Sequence, residues 1–194
     1  MALKGNRALA GVLLLASLSA RAAEAADTRI VVAILDYADV PPETLELAKA
    51  QTSKIYGKAG VEIEWKEAQA LGEAATARPA VRPAAWVKLL PNSMAKRLRR
   101  TPGAFGCALD NQVYVFAERV RETAKHARIS YAKTLGHIMA HEIGHILLGA
   151  DSHAPRSIMS PFLGPVEFQE MEMGHLLFNE AQAEQLSGRL LAQR

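Results

Sequence analysis

A single cysteine, Cys107, occurs in 194 residues, so the chain cannot close an internal disulfide. Long apolar runs are also missing. The longest, Ala8 to Leu18, is about eleven residues, against roughly twenty for a helix that crosses a bilayer. With Lys4 and Arg7 before it, and Ala20-Arg21-Ala22 or Ala23-Glu24-Ala25 after it, the run reads as the core of a cleavable export signal over residues 1–25. No cysteine follows to take a lipid, so no stable membrane anchor is expected, and the destination is secreted or periplasmic. Charge of one sign is scarce as well. The chain carries +3, and losing Lys4, Arg7, Arg21 and Glu24 removes +2, which leaves +1. That balance takes away the main support for a nucleic-acid or acidic-membrane partner, and neither is expected. No internal repeats occur. Residues 26–194, about 169 of them, suit one monomeric domain that buries about two-thirds of its surface, with no room for a separate prodomain.

What the chain does have is a series of short patterned segments. Thr28 to Tyr37 is dense in Ile and Val between polar residues, the mark of a central strand. Pro41-Pro42-Glu43 opens a helix with an inner face of Leu45, Leu47, Ala48, Ile55 and Tyr56, ended by Gly57 or Gly60. Val61 to Lys66 alternates Val, Ile and Trp with charge, a half-exposed strand. An Ala-, Pro- and Arg-rich loop from Leu71 to Ala85 leads to another strand, Ala85 to Leu90. Lys96-Arg97-Leu98-Arg99-Arg100 is the one basic cluster and reads as a solvated face; lining a cleft, it would favour acidic partners. Phe105 to Leu109 starts a strand with Cys107 as a small buried hydrophobe, Asp110-Asn111 is a turn, and Gln112 to Phe116 is a strand. Residues 119–129 are polar, with His126 exposed. Asn179 caps a last helix, Glu180 to Leu191, packed down by Ala183, Leu186 and Leu190. His175 has a surface or structural place.

His141-Glu142-Ile143-Gly144-His145 carries the chemistry. On a helix, positions four apart lie about 40° apart around the axis, so His141 and His145 project one above the other and can bite one Zn²⁺. Glu142 sits one step round, placed to take a proton from water held by such a metal. Leu135, Ile138, Met139, Ile143, Ile146 and Leu147 make the helix apolar nearly all round, hence buried. Two buried imidazoles without a task would each cost roughly 1 to 3 kcal/mol, which favours a metal site over core histidines. His137, one turn earlier, is too far to share an ion whose ligand bonds are about 2.0 to 2.1 Å, and reads as a supporting or core residue.

A zinc enzyme needs a third protein ligand and an open fourth position. Gly149, just past the apolar run, reads as a left-handed terminator that turns residues 150–155 back toward the metal. Asp151 and His153 are the candidates. His153 is preferred because a neutral imidazole leaves the site its full positive charge, which best acidifies bound water; the other then lies beside the site or in solvent.

These residues resemble the metzincin group of zinc metalloproteases, whose pattern is HExxHxxGxxH, or a form ending in Asp, followed by a methionine in a tight turn. Here Leu148 stands in the glycine position and Gly149 comes one later. Counting from His141 puts Asp151 in the third-ligand position, and counting from Gly149 puts Ser152 there, with His153 one beyond. The chain is also similar to bacterial secreted metzincin-like proteins in which the histidine corresponds to His153. Ile158-Met159-Ser160-Pro161 fits the methionine turn, the apolar floor below the zinc, and Met159 follows His141 at the family's spacing. Pro161 stands where some metzincins carry a tyrosine that steadies the oxyanion, so no such helper is implied.

The resemblance implies an α+β, zincin-like single domain over 26–194: a twisted mixed β-sheet backed by helices, with an active-site helix and a C-terminal helix. An edge strand on either flank of the Asp110-Asn111 turn would hold an extended substrate by backbone hydrogen bonds, and residues 161–175 would form the far wall of the cleft. It further implies a zinc metalloendopeptidase for peptide or protein substrates, with His141, His145 and His153 on Zn²⁺ and Glu142 as general base. Two other readings stay open. One is a thermolysin-like site with Glu167, Glu170 or Glu172 as third ligand. The other is a non-catalytic zinc-binding or interaction domain of the same fold, for which Glu142 would have no use.

Overall fold

The computed structural model describes residues 28–67, 82–98 and 103–192. The expected signal peptide, most of the 71–85 loop and Arg99-Arg100 lie outside them. Five strands, β1 (Arg29–Asp36), β2 (Glu62–Glu67), β3 (Ala85–Leu90), β4 (Gly106–Leu109) and β5 (Gln112–Phe116), form one sheet in the order β2-β1-β3-β5-β4. β1 runs parallel to both β2 and β3, β3 parallel to β5, and β4 alone is antiparallel, paired with β5 through the Asp110-Asn111 turn. Asp110 takes φ +53° in that turn, a conformation Asp tolerates better than most residues. The fold is therefore α+β with a mixed sheet, and β4 is an edge.

A parallel pair needs a crossover, and α1 (Pro42–Lys58) supplies the one between β1 and β2. Asp36 closes the turn into it by accepting from the N–H groups of Ala38 (2.9 Å) and Val40 (2.8 Å). Of the expected inner face of α1, Leu45 is half-buried, and Ala48, Ile55 and Tyr56, joined by Thr52, are buried. Leu47 is not: it is 56% exposed, because it stands about 100° round the helix from Ala48. A short helix, α2 (Asn92–Ala95), runs into a 3₁₀ turn, Lys96–Leu98, on which Lys96 and Arg97 are exposed. The polar stretch after β5 is itself a helix, α3 (Ala117–Ala127). Its buried face is only Ala117, Val120 and Ala124, too narrow and too small to announce itself in the sequence.

α4 (Tyr131–Leu148) carries the histidine pair and runs through the centre of the molecule. Ser130 caps it, its Oγ accepting from the Lys133 N–H at 3.3 Å. Against α1 the approach is close: a Cβ on Gly136 would lie 2.7 Å from the Ala48 carbonyl oxygen and 2.8 Å from Gln51 Cβ. The Thr52 hydroxyl donates to Gly136 O (2.9 Å) and the Tyr56 hydroxyl to Ala140 O (3.0 Å), both fully buried. These contacts fix the depth and rotation of α4, and so where its histidines point. Two helices follow, α5 (Pro165–Met173) and α6 (Glu180–Ala192). The far wall is thus shorter than residues 161–175, because Pro165 starts a helix whose first turn is closed by Glu167 accepting from the Gly164 N–H at 2.9 Å. Asn179 caps α6 by accepting from the Gln182 N–H at 2.9 Å, and Leu186 anchors it in the core.

Gly136→Ala is expected to destabilise the protein by about 1 to 3 kcal/mol in urea unfolding, since backbone rather than a flexible side chain must yield. Gly57→Ala, with nothing within 4 Å of the added methyl, is the control and should be neutral or stabilising by up to about 1 kcal/mol.

Candidate metal centre

His141 and His145 lie on the last turns of α4. The carbonyl oxygen of Ile158 stands 2.8 Å from His141 Nδ1 and can only accept, so Nδ1 carries the proton and Nε2 presents a lone pair. His145 Nδ1 faces the Ser152 hydroxyl at 3.3 Å and the Gly149 carbonyl at 3.4 Å. Ser152 already donates its proton to that carbonyl at 2.7 Å, so its oxygen accepts from His145, whose Nε2 is also bare. The two Nε2 atoms are 3.1 Å apart. Two lone pairs at that distance repel unless a cation lies between them, and two nitrogens on a tetrahedral zinc at about 2.0 to 2.1 Å are about 3.3 Å apart. His153 completes the set: one ring nitrogen from each of the three histidines falls within 4.8 Å of the others. The donor set fits a metal ion.

The loop that delivers His153 is tied down on itself and to the following segment. The Ala154 N–H donates to Met159 O at 3.0 Å, the Ser157 hydroxyl to Ala154 O at 3.0 Å, and the Ile158 N–H to Leu177 O at 2.7 Å. Gly149 ends α4 with φ +107° and ψ 165°, an extended positive-φ conformation rather than the left-handed helical one expected, though equally one that suits glycine. Asp151 is exposed and outside the histidine group. Met159 is fully buried, and it explains Gly144: a Cβ there would come 2.5 Å from Met159 Sδ.

Glu142 is 6% exposed and faces the edge strand. A Cβ on Gly106 would lie 2.7 Å from Glu142 Oε1 and 2.8 Å from Cγ, so β4 approaches the carboxylate only because residue 106 has no side chain. Sequence reasoning passed over Gly106, although a glycine at the start of a strand is the usual mark of such a close approach. A cleft of about 930 Å³ opens over the histidines, lined by residues 103–110, by Ile138, Glu142 and Ile146 of α4, and by Ser160 to Leu163. Cys107 is half-buried on its wall instead of sealed in the core, since it alternates with the inward-facing Gly106. Lys96 and Arg97 are not among the lining residues.

No model of a known family matches the sequence, and no curated protein matches it. Among solved structures, archaemetzincin from Methanopyrus kandleri is similar with a TM-score of 0.56 at 16% identity, covering 86% of this chain and 97% of that one. The chain has the archaemetzincin fold. At that identity the likeness to archaemetzincin is one of backbone, and the case for a metal rests on the three histidines themselves.

The glutamates considered as third ligands are employed elsewhere. Glu167 caps α5, Glu170 faces His175 at 3.5 Å, and Glu172 accepts from the Ser130 N–H (2.9 Å) and from Lys133 Nζ (3.1 Å) at the opposite end of α4. None joins the histidines. His126 and His175 are on the surface. His137 is buried, with Nδ1 donating to Lys133 O at 2.7 Å, and it stands apart from the metal group.

Burial pushes the His141 imidazole down to about 4 and lowers those of His145 and His137 as well, against the opposing pull of their backbone carbonyl partners. In the unfolded chain His141 protonates near pH 6.5, in the folded one near 4. Between those values the unfolded state takes up a proton that the folded state does not, so stability falls as pH drops through the window and is untouched above it. Urea midpoints of chelator-treated protein should therefore decline from pH 6.5 to about 4, and His141→Gln should flatten the decline. An unchanged slope in that variant would place the titration elsewhere.

Proposed function

We propose that the protein is a zinc-dependent endopeptidase of metzincin type, exported by its N-terminal signal and acting on peptides or proteins outside the cytoplasm. The observation that carries this is one cluster: His141, His145 and His153 on the floor of the cleft, with Glu142 beside them between α4 and β4. The three histidines would hold the ion, neutral and with Nε2 directed inward for the pair on α4. Zinc in such a site supplies Lewis acidity, polarising a scissile carbonyl and bringing the pKa of water from 15.7 toward about 7. Glu142 takes the proton of the attacking water and hands it to the departing amine. It is nearly buried against β4, which keeps the carboxylate at the wall of the cleft. Met159 underlies this arrangement as an apolar floor.

β4 supports the substrate side of the proposal. It is the sheet edge that lines the cleft, where an extended peptide can add as a further strand through backbone hydrogen bonds. The walls carry Leu109, 56% exposed, and Phe162, 80% exposed, and among the described lining residues there is no Lys or Arg. Apolar rather than acidic side chains suit such walls.

Glu142→Gln should keep its zinc and lose about 10² to 10⁴-fold or more in turnover of a mixed peptide library. A fully active variant would remove the general base from the mechanism. A wild-type protein that binds zinc and cleaves no member of the library would favour a zinc-binding domain of the same fold.

A further inference from the structure

His141 and His145 are held differently. His141 has one short carbonyl partner, Ile158 O at 2.8 Å, while the carbonyl offered to His145, Gly149 O, is 3.4 Å away and at the edge of hydrogen bonding. Ser152 makes up the difference. Its hydroxyl spends its proton on Gly149 O at 2.7 Å and turns its lone pair to His145 Nδ1 at 3.3 Å, and its backbone N–H reaches the same carbonyl at 3.3 Å. Seven residues separate His145 from His153, and at Ser152 this loop is pinned back to the end of the helix that carries His145.

Ser152 is in turn held from outside the loop. Its carbonyl accepts from Gln182 Nε2 at 3.1 Å. Gln182 is 6% exposed, and its other amide atom, Oε1, accepts from the Asn179 N–H at 3.1 Å at the start of α6. With both ends of the amide engaged, the side chain cannot flip without breaking both bonds. A relay therefore runs from the cap of α6 through Gln182 to Ser152 and on to the histidine.

We propose that Ser152 and Gln182 are positioning residues for the metal centre: Ser152 fixes the tautomer and aim of His145, and Gln182 fixes Ser152. This rests on reading the three histidines as the metal site. An acceptor on the outward nitrogen of a ligating histidine orients the ring and raises its basicity, and its removal costs about 10- to 100-fold in metal affinity.

Zinc affinity, measured by competition with a chromogenic chelator, tests the relay, alongside urea unfolding of the metal-free proteins. Ser152→Ala should bind zinc about 10- to 100-fold more weakly with little change in metal-free stability, and Ser152→Thr, which keeps the hydroxyl, should recover most of the loss. Gln182→Glu keeps an acceptor for Asn179 but cannot donate to Ser152, and it should weaken zinc in the same direction by a smaller factor. Wild-type affinity in Ser152→Ala, or no recovery in Ser152→Thr, would overturn the proposal while leaving the metal centre standing. A wild-type protein that takes up no zinc would overturn both.

Discussion

Two unprotonated imidazole nitrogens 3.1 Å apart on a buried helix are the constraint on which the structure turns. Held there by the Ile158 carbonyl and the Ser152 hydroxyl, they repel each other, and a cation is the simplest relief. The architecture around α4 keeps them in place at several levels of the helix. Gly136 lets α1 come close enough for Thr52 and Tyr56 to bond α4 carbonyls, Gly144 admits Met159 against α4, and Gly106 lets β4 close on Glu142. At each point a missing side chain brings two elements within contact, so rotation of α4 is opposed from three sides. The close fit costs conformational freedom, and buried apolar neighbours such as Leu135, Met139 and Ile143 offset it.

The parts of the site that were legible in the sequence are those set by spacing along one helix. His141, Glu142 and His145 follow from a period of 3.6 residues, and the two-residue turn between β4 and β5 from Asp-Asn. Where a contact depends on how elements meet in space, the sequence is silent. Gly106 and Ser152 belong to this second kind: one matters because an edge strand packs on a carboxylate, the other because a loop folds back onto the helix before it. The choice between Asp151 and His153 is of the same sort, since both follow the same turn and only the path of the loop brings the histidine into the group. Among the elements, α3 was hidden by a narrow face of small residues, and Leu47 was misplaced by one step of helix rotation. Gly149 terminates the helix as its position implies, but in an extended rather than left-handed helical conformation, because glycine permits several positive-φ conformations.

Fold and site stand on separate footings. A backbone shared with archaemetzincin over 86% of the chain says how the sheet and helices are arranged; at 16% identity it does not say what the side chains do. The donor set, the tautomers imposed by Ile158 O and Ser152, and the buried carboxylate beside an open cleft are seen in this chain's own side chains. That they lie together in one cleft, beside the sheet edge that can accept a peptide strand, is what supports peptide hydrolysis.

The most direct test of the metal centre is elemental analysis of zinc in the purified protein, compared with His153→Ala and Asp151→Ala. One zinc per chain in wild type and in Asp151→Ala, and its loss in His153→Ala, is the result predicted. A wild-type protein without zinc, or a His153→Ala protein that retains a full equivalent, would contradict the three-histidine site.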